Sequence, residues 1–436
     1  MRDLLIGFLI FGSVPFCIFR PDFGILVYAW VGLMNPHRLS WRLESLPVGL
    51  AVALATLLGT VIRGEIRRIP MRMTTVLLIV WFLYTTVTTM TSGTREAWIE
   101  WNRFSRILLM CFVAMMLLQE RIRLERFLWV CMASIAFFGV KGGIFSIVTR
   151  GQYMVWGPPG SFIEGNNELA LAELMVLPLM LYFMRQAKKG WQKWAYYGAF
   201  LLNVFSILFS YSRGAFVAFA GLSAVLMARS RYRIPAFVMA AVLGALMFAL
   251  VPQEWKDRMF SIRDFRADQS AQGRINAWYF AYNLAKDRVF GGGFRTFTPD
   301  LFMVYAPNPA DVHDAHSIYF EVLGEQGFPG LLIYLGILFG ALWRLERLRK
   351  RFARETERPW IRDLAEMLQF SLVAYMLGGA FLGLAYFDLF YYLVISAILL
   401  DHIAQRETVA ARVLAKSTTE AAHDAAPSGA RPALGT

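Results

Sequence analysis

The sequence predicts an all-α polytopic membrane protein with about twelve transmembrane helices and one long loop, residues 252–317, on the outer side. Three observations carry the prediction. Of 436 residues, 57% are hydrophobic and only 17% charged, too little polar surface to cover a water-soluble globule. The apolar residues come in blocks of bilayer-spanning length. The net charge of +13 sits in short basic clusters between those blocks, which suits anionic lipid and orientation in a membrane better than nucleic-acid binding.

Taken in order, the first block runs from Leu4 to Phe19. It lacks a small-residue cleavage site before more apolar sequence, so it is expected to be a retained anchor rather than a secretory signal. Phe23 to Met34 is apolar but short before Asn35-Pro36, which suggests a re-entrant or interfacial segment; if it crosses, the count becomes thirteen. Further spans are expected over residues 45–62, 73–91, 105–118 and 126–148. The second half continues with 167–184, 194–211, 214–227, 234–251, 330–343, 367–385 and 390–403. From Glu407 onward the sequence is rich in Ala, Thr, Ser, Pro and Gly, and residues 404–436 are expected to form a poorly ordered cytoplasmic tail.

Basic clusters set the orientation. Arg63, Arg67, Arg68 and Arg72 mark one cytoplasmic loop, and Arg121, Arg123 and Arg126 the next. Arg185, Lys188, Lys189 and Lys193, then Arg229, Arg231 and Arg233, mark two more, and the run from Arg344 to Arg358 marks the last. Both termini then fall in the cytoplasm and loop 252–317 on the opposite side; long loops translocate largely regardless of their own charge. Cys17, Cys111 and Cys131 lie inside apolar blocks without a metal-ligand spacing, so they read as small packing residues. Lys141 is an ionisable exception within an apolar block.

Four places hold polar groups near the outer face. In Ser210-Tyr211-Ser212-Arg213-Gly214-Ala215 an arginine faces either a water-filled cavity or snorkels to headgroups. Arg274 lies in a segment where Arg274, Ala277, Trp278, Ala281 and Tyr282 recur at helical spacing. A helix on the membrane surface would project this arginine toward a lipid-linked substrate; the plain alternative is an exposed arginine. Gly291-Gly292-Gly293 follows, without the helix start and lysine of a phosphate-binding loop. His313 and His316 are three apart, on one face if helical, and histidine accepts a proton near neutral pH. Their competing readings are a helix-entry polar residue and a zinc pair, and the latter lacks a third ligand. Glu321 and Glu325, four apart beyond the loop, need partners on entering a membrane, most simply an arginine. Glu164 and Glu168 at another outer helix start repeat the pattern more weakly.

The order of these motifs carries a family resemblance. Ser-Arg-Gly-Ala at 212–215, Gly-Arg-x-x-x-Trp at 273–278, Phe-Gly-Gly-Gly-Phe at 290–294, and His-Ser-x-Tyr-Phe with Gly-Glu-x-Gly at 316–327 together resemble the O-antigen ligase family, over roughly residues 166–402. The N-terminal portion, with Pro36-His37-Arg38 and the Trp98 to Trp101 region, looks like the extension of the exosortase-associated O-glycosylation ligases of that family. The resemblance divides the chain into N-terminal helices 1–165, a ligase-like region 166–403 containing loop 252–317, and the tail.

What the resemblance implies is a glycosyltransferase of GT-C type in the bacterial inner membrane, with its active site facing the periplasm. It would move a glycan from undecaprenyl diphosphate to the lipid A-core, with membrane lipids around it and no nucleic-acid partner. His316, Arg274 and Arg213 match the family's catalytic residues. His313, Tyr211, Trp278, Glu325 and Glu321 are the expected substrate-binding residues, and no metal or cofactor is expected. Ser317 stands where many members have asparagine. Breaking a sugar C1-to-diphosphate bond builds negative charge that fixed arginines can stabilise, and the acceptor hydroxyl must lose a proton, for which His316 is the expected base. A single displacement inverts the anomeric centre. The same residues serve a protein O-oligosaccharyltransferase or a Wzy-type polymerase of lipid-linked repeats. A lipid-glycan transporter would instead show broken helices with mid-membrane charges.

Overall fold

A computed structural model of the chain describes residues 2–40, 43–44, 46–229, 253, 255–256 and 269–424. The expected span 234–251, Arg231, Arg233 and most of residues 252–268 lie outside the described residues. Among those described, all regular structure is helical. The helices are α1 (Arg2–Phe19), α2 (Pro21–Met34), α3 (Val48–Ile62), α4 (Met73–Ser92), α5 (Arg95–Leu117), α6 (Arg121–Val148) and α7 (Asn166–Gln186). Then come α8 (Gly190–Leu208), α9 (Arg213–Arg229), α10 (Gln269–Asp287), α11 (Pro299–Tyr305), α12 (Ile318–Arg351), α13 (Pro359–Gly379) and α14 (Asp388–Asp424).

Of these, α1, α4, α6, α7, α12 and α14 are long and apolar enough to cross a bilayer. The chain is a polytopic membrane protein. The Phe23 to Met34 block is helical, but α2 has 14 residues, about 21 Å at a rise of 1.5 Å per residue against a hydrocarbon core of about 30 Å. Much of it, including Ile25, Ala29 and Leu33, is buried against protein.

Three helices depart from the expected boundaries in ways that matter for the site. Helix α5 begins at Arg95, not Ser105, because Thr94 caps it by accepting the Ala97 N–H at 3.3 Å; this brings Glu96, Glu100 and Arg103 onto a helix. Helix α12 begins at Ile318, well before the expected span 330–343, so Glu321 and Glu325 are helical. Helix α14 continues to Asp424, where an irregular tail from residue 404 was expected. Alanine is the strongest helix former, and the stretch past Glu407 is rich in it, which offsets the missing apolar face.

The first part of α14 is the centre of the molecule, with every residue from Leu389 to Leu400 buried. Helices α4, α5, α6, α12 and α13 surround it. Lipid is as apolar as such a core, so helices associate through close packing and polar contacts rather than water exclusion. Both are visible. Along α6, Gly139, Gly142 and Gly143 face α8, and a Cβ at Gly143 would come within 2.2 Å of the Leu202 carbonyl oxygen. At the other end of the bundle, Asp401 receives Arg344 at 2.7 Å and Arg72 at 3.3 Å, tying α14 to α12 and α4. Arg72 and Arg344, expected as orientation signals, thus also serve as interhelical ties. Lys141 is exposed on the outer face of α6.

Candidate active site

A cavity of about 810 Å³ opens between the start of α5, the loop before α7, residues 294–298, the loop before α12, the first turns of α12 and the turn at 383–386. His316 and Asp314 line it, as do Glu321 and Glu325.

The loop before α12 is held by α10. Asn276 donates to the Asn308 and Asp311 carbonyls at 2.8 and 2.9 Å, and its Oδ1 accepts the Asn308 N–H at 2.9 Å. Asn283 Nδ2 reaches the Tyr305 carbonyl at 2.9 Å. Trp278 stacks on Phe320 with centroids 4.9 Å apart, and its Nε1 donates to the Ala315 carbonyl at 2.8 Å, fixing the residue before His316. Trp278 therefore sets the position of the histidine, a different role from the substrate contact expected of it. Ala277 and Ala281, expected on a membrane-facing stripe, are fully buried in the protein. They leave Tyr279 and Tyr282 exposed. Asn276→Ala removes three bonds to one loop, and at about 1 kcal/mol per bond it is expected to lower thermal stability by several degrees and make residues 306–316 cleavable by limited proteolysis.

His313 and His316 do not share a helical face, because residues 311–316 are irregular. His313 pairs with Asp311 at 2.8 Å and lies on Gly273, where a Cβ would come within 2.4 Å of its ring. That contact explains the glycine before Arg274. His316 adopts a left-handed backbone with φ 43°, turning its side chain toward the cavity. Burial, then the charge of Arg274, pushes its imidazole below the usual range, opposed by Asp314. A neutral imidazole beside an arginine is suited to accepting a proton. The charge of Arg274 is also felt by Glu168 at the start of α7.

Arg213 is the first residue of α9 and is half-buried. The strand of chain before it is fixed by Asn166 Nδ2, which donates to the Ser210 carbonyl at 2.6 Å, and Gly214 packs against Phe381. Arg213 therefore adjoins the 380–386 turn but is not among the residues that line the cavity. Tyr211 is buried, with its hydroxyl donating to the Gly151 carbonyl at 2.6 Å; it anchors a loop.

The glycine run is a backbone joint. Helix α12 breaks at Gly327, where φ is 66° and ψ −170°, just before Pro329. The Gly292 and Gly293 N–H groups donate to the Gly324 and Glu325 carbonyls at 3.0 and 2.8 Å, and Phe328 N–H donates to the Val289 carbonyl at 3.2 Å. Backbone N–H groups, not the arginine side chains expected, also receive the two carboxylates. Glu325 Oε1 accepts Arg295 N–H at 2.8 Å and Glu321 Oε2 accepts Ala385 N–H at 3.0 Å. The Arg295 guanidinium instead reaches Glu100 at 2.7 Å.

Sequence reasoning did not reach the wall formed by α5. Glu96, Glu100 and Arg103 line the cavity, and their i, i+4, i+7 spacing is a helical face that an α5 beginning at Ser105 excludes. Arg103 packs over Phe162, 3.4 Å from the ring centroid. Among the described residues no cluster of three or more His, Cys, Asp and Glu is arranged to hold a metal ion.

Residues 1–188 match a family described only as a family of unknown function (DUF5935). No curated protein matches the chain. Residues 198–335, which contain Arg213, Arg274, the glycine joint and His316, match the family described as O-Antigen ligase, a family of glycosyltransferase-like enzymes. The region that carries the candidate site is thus similar to the O-antigen ligase family.

Proposed function

We propose that the protein is an O-antigen ligase of GT-C type with about twelve spans. It transfers a glycan from undecaprenyl diphosphate to the lipid A-core oligosaccharide at the periplasmic face of the inner membrane. The observation that carries the reading is that His316 lines the cavity within electrostatic reach of Arg274, which stands on another element, both inside the matched region.

In this reaction the acceptor hydroxyl gives its proton to His316 Nε2 or Nδ1 as its oxygen forms a bond to the donor sugar C1. The C1–O bond to the diphosphate breaks on the opposite side, and undecaprenyl diphosphate leaves with the electron pair, so the anomeric centre inverts. Arg274, with Arg213 as its proposed partner, stabilises the charge that grows on the leaving diphosphate; a guanidinium does this by paired hydrogen bonds that a lysine cannot reproduce. Glu321 and Glu325 shape the cavity floor, and His313 and Trp278 hold the loop.

The test is transfer by purified protein given an undecaprenyl-diphosphate glycan and lipid A-core. Arg274→Ala is expected to reduce kcat/KM by roughly 10²–10³-fold, the scale of losing one preorganised charge-stabilising group, and Arg274→Lys to recover little of it. A chelator is expected to leave the rate unchanged. In cells the variant should accumulate lipid-linked polymer and bare lipid A-core. Accumulation of single repeats would assign a polymerase instead, and glycan on protein hydroxyls a protein O-oligosaccharyltransferase. Wild-type rates from Arg274→Ala would remove the reading.

A further inference from the structure

The cavity holds the proposed base but neither of the arginines proposed for the leaving diphosphate. His316 lines it, whereas Arg274 and Arg213 do not; Arg274 makes its charge felt at His316 without forming part of the wall. In the proposed reaction an acceptor hydroxyl must reach that imidazole, and the cavity is the open space from which it can.

Among the described residues two guanidinium groups line this space, those of Arg103 and Arg295. Arg295 is engaged by Glu100 at 2.7 Å. Arg103 makes no hydrogen bond or ion pair among the described residues; its guanidinium lies 3.4 Å from the centroid of the Phe162 ring. That ring packs on Phe387 with centroids 6.0 Å apart, and its loop is closed by Glu164, whose Oε2 accepts the Gly160 N–H at 2.7 Å and whose carbonyl accepts the Gly157 N–H at 2.9 Å. The guanidinium is thus half-buried on a fixed platform with its donors unused. Asp388 and Glu100 act on its charge favourably, and Arg38 and Arg295 unfavourably. A partly desolvated charge calls for a partner, and a guanidinium is met best by the paired oxygens of a phosphate or carboxylate. The cavity's carboxyl groups do not fill that role: Glu100 is bonded to the Arg295 guanidinium, Glu164 to the Gly160 N–H, and Glu325 and Glu321 to the Arg295 and Ala385 N–H groups.

We propose that Arg103, seated on Phe162, binds a phosphate group of the acceptor and so sets the acceptor hydroxyl before His316. Both residues lie in the region that matches a family of unknown function, which thereby gains a role as the acceptor side of the site. The assignment rests on the reading of the protein as a glycan transferase. In that reaction phosphate oxygens come from two sources, the diphosphate of the donor and the phosphates of the lipid A-core. The absence of Arg274 and Arg213 from the cavity wall favours the second.

The experiment titrates full-length protein in nanodiscs with three probes: core oligosaccharide carrying its phosphates, the same oligosaccharide after phosphatase treatment, and undecaprenyl diphosphate. Wild type is expected to bind the phosphorylated core about tenfold more tightly than the dephosphorylated one, the scale of a hydrogen bond between charged groups. Arg103→Gln should erase that difference and leave binding of the dephosphorylated core and of undecaprenyl diphosphate unchanged. Arg103→Lys, which keeps the charge but not the planar fork, should recover part of it. Phe162→Leu keeps the arginine but removes its ring and should weaken the phosphorylated core about threefold; it carries the test if Arg103→Gln fails to fold. In transfer assays the KM for lipid A-core should rise in Arg103→Gln while the KM for donor holds. Weaker binding of undecaprenyl diphosphate by Arg103→Gln would assign the arginine to the donor and overturn the acceptor site, as would equal binding of the two core probes by wild type. Selective, Arg103-dependent binding of phosphorylated core without any transfer upholds the acceptor site and removes the transferase reading.

Discussion

Replacing His316 is expected to abolish glycan transfer while leaving the protein in the membrane at wild-type level. A positioned general base contributes roughly 10²–10⁴ in rate, so a loss of that size in kcat, with little change in donor KM, is the signature of removing the proton acceptor rather than a binding contact. The backbone decides which variant is informative. His316 sits at φ 43°, a region that costs an ordinary residue about 1–2 kcal/mol and that asparagine tolerates better than most. His316→Asn therefore removes the imidazole at little conformational cost, and His316→Ala should agree with it. The pH profile gives a second readout. A base must be neutral, and burial with the neighbouring Arg274 lowers the pKa of His316. Activity should then hold through pH 6.5, the ordinary histidine value, and fall only at more acidic pH. Arg274→Gln removes the repelling charge and should move that acid limb of its residual activity upward. A rate limb at or above the ordinary histidine value in wild type, or near-normal transfer in His316→Asn, would exclude His316 as the base.

Gly327→Ala is expected to be strongly destabilising. At φ 66° and ψ −170° the residue occupies a region open essentially to glycine alone. A Cβ there would stand 1.9 Å from the Val289 carbonyl oxygen. That neighbour is backbone, so no side chain can swing aside. Relief would separate residues 289–293 from the break in α12 and forfeit the bonds made by Gly292, Gly293 and Phe328. Backbone strain of about 1–3 kcal/mol adds to roughly 1 kcal/mol for each bond lost. The expected result is a large drop in the melting temperature measured by size-exclusion of detergent-solubilised protein, or no folded protein. Gly198→Ala, with nothing within 4 Å of its added methyl, is the matched control and should be near neutral. Equal melting temperatures for the two variants would contradict the joint.

Much of this was legible in the sequence, and what was not has identifiable causes. Long apolar blocks gave the helical membrane fold because burial in lipid demands satisfied backbone groups and leaves few alternatives. His316 and Arg274 were singled out through ordered motifs, and the charge of one is felt by the other. The partners of Glu321 and Glu325 were not legible, since backbone N–H groups carry no residue identity. Gly291-Gly292-Gly293 was seen as a break, but its mate at Gly327 lies far along the chain. The α5 wall was lost through a boundary error of ten residues: polar Glu96, Glu100 and Arg103 lower the hydropathy of a helix whose polar face lines the cavity. The run to Asp424 in α14 was missed because absent amphipathicity outweighed helix propensity in the reading.

The glycine stripe of α6 has a consequence well away from itself. Gly143 lets α6 touch the backbone of α8 at Leu202, and the chain just past α8 is stitched to Asn166 at the head of α7, two residues from Glu168 at the cavity. Widening that seam with a leucine would pry α8 outward and drag the head of α7 with it, so a residue with no line of sight to the substrate would act as a shim beneath its binding wall.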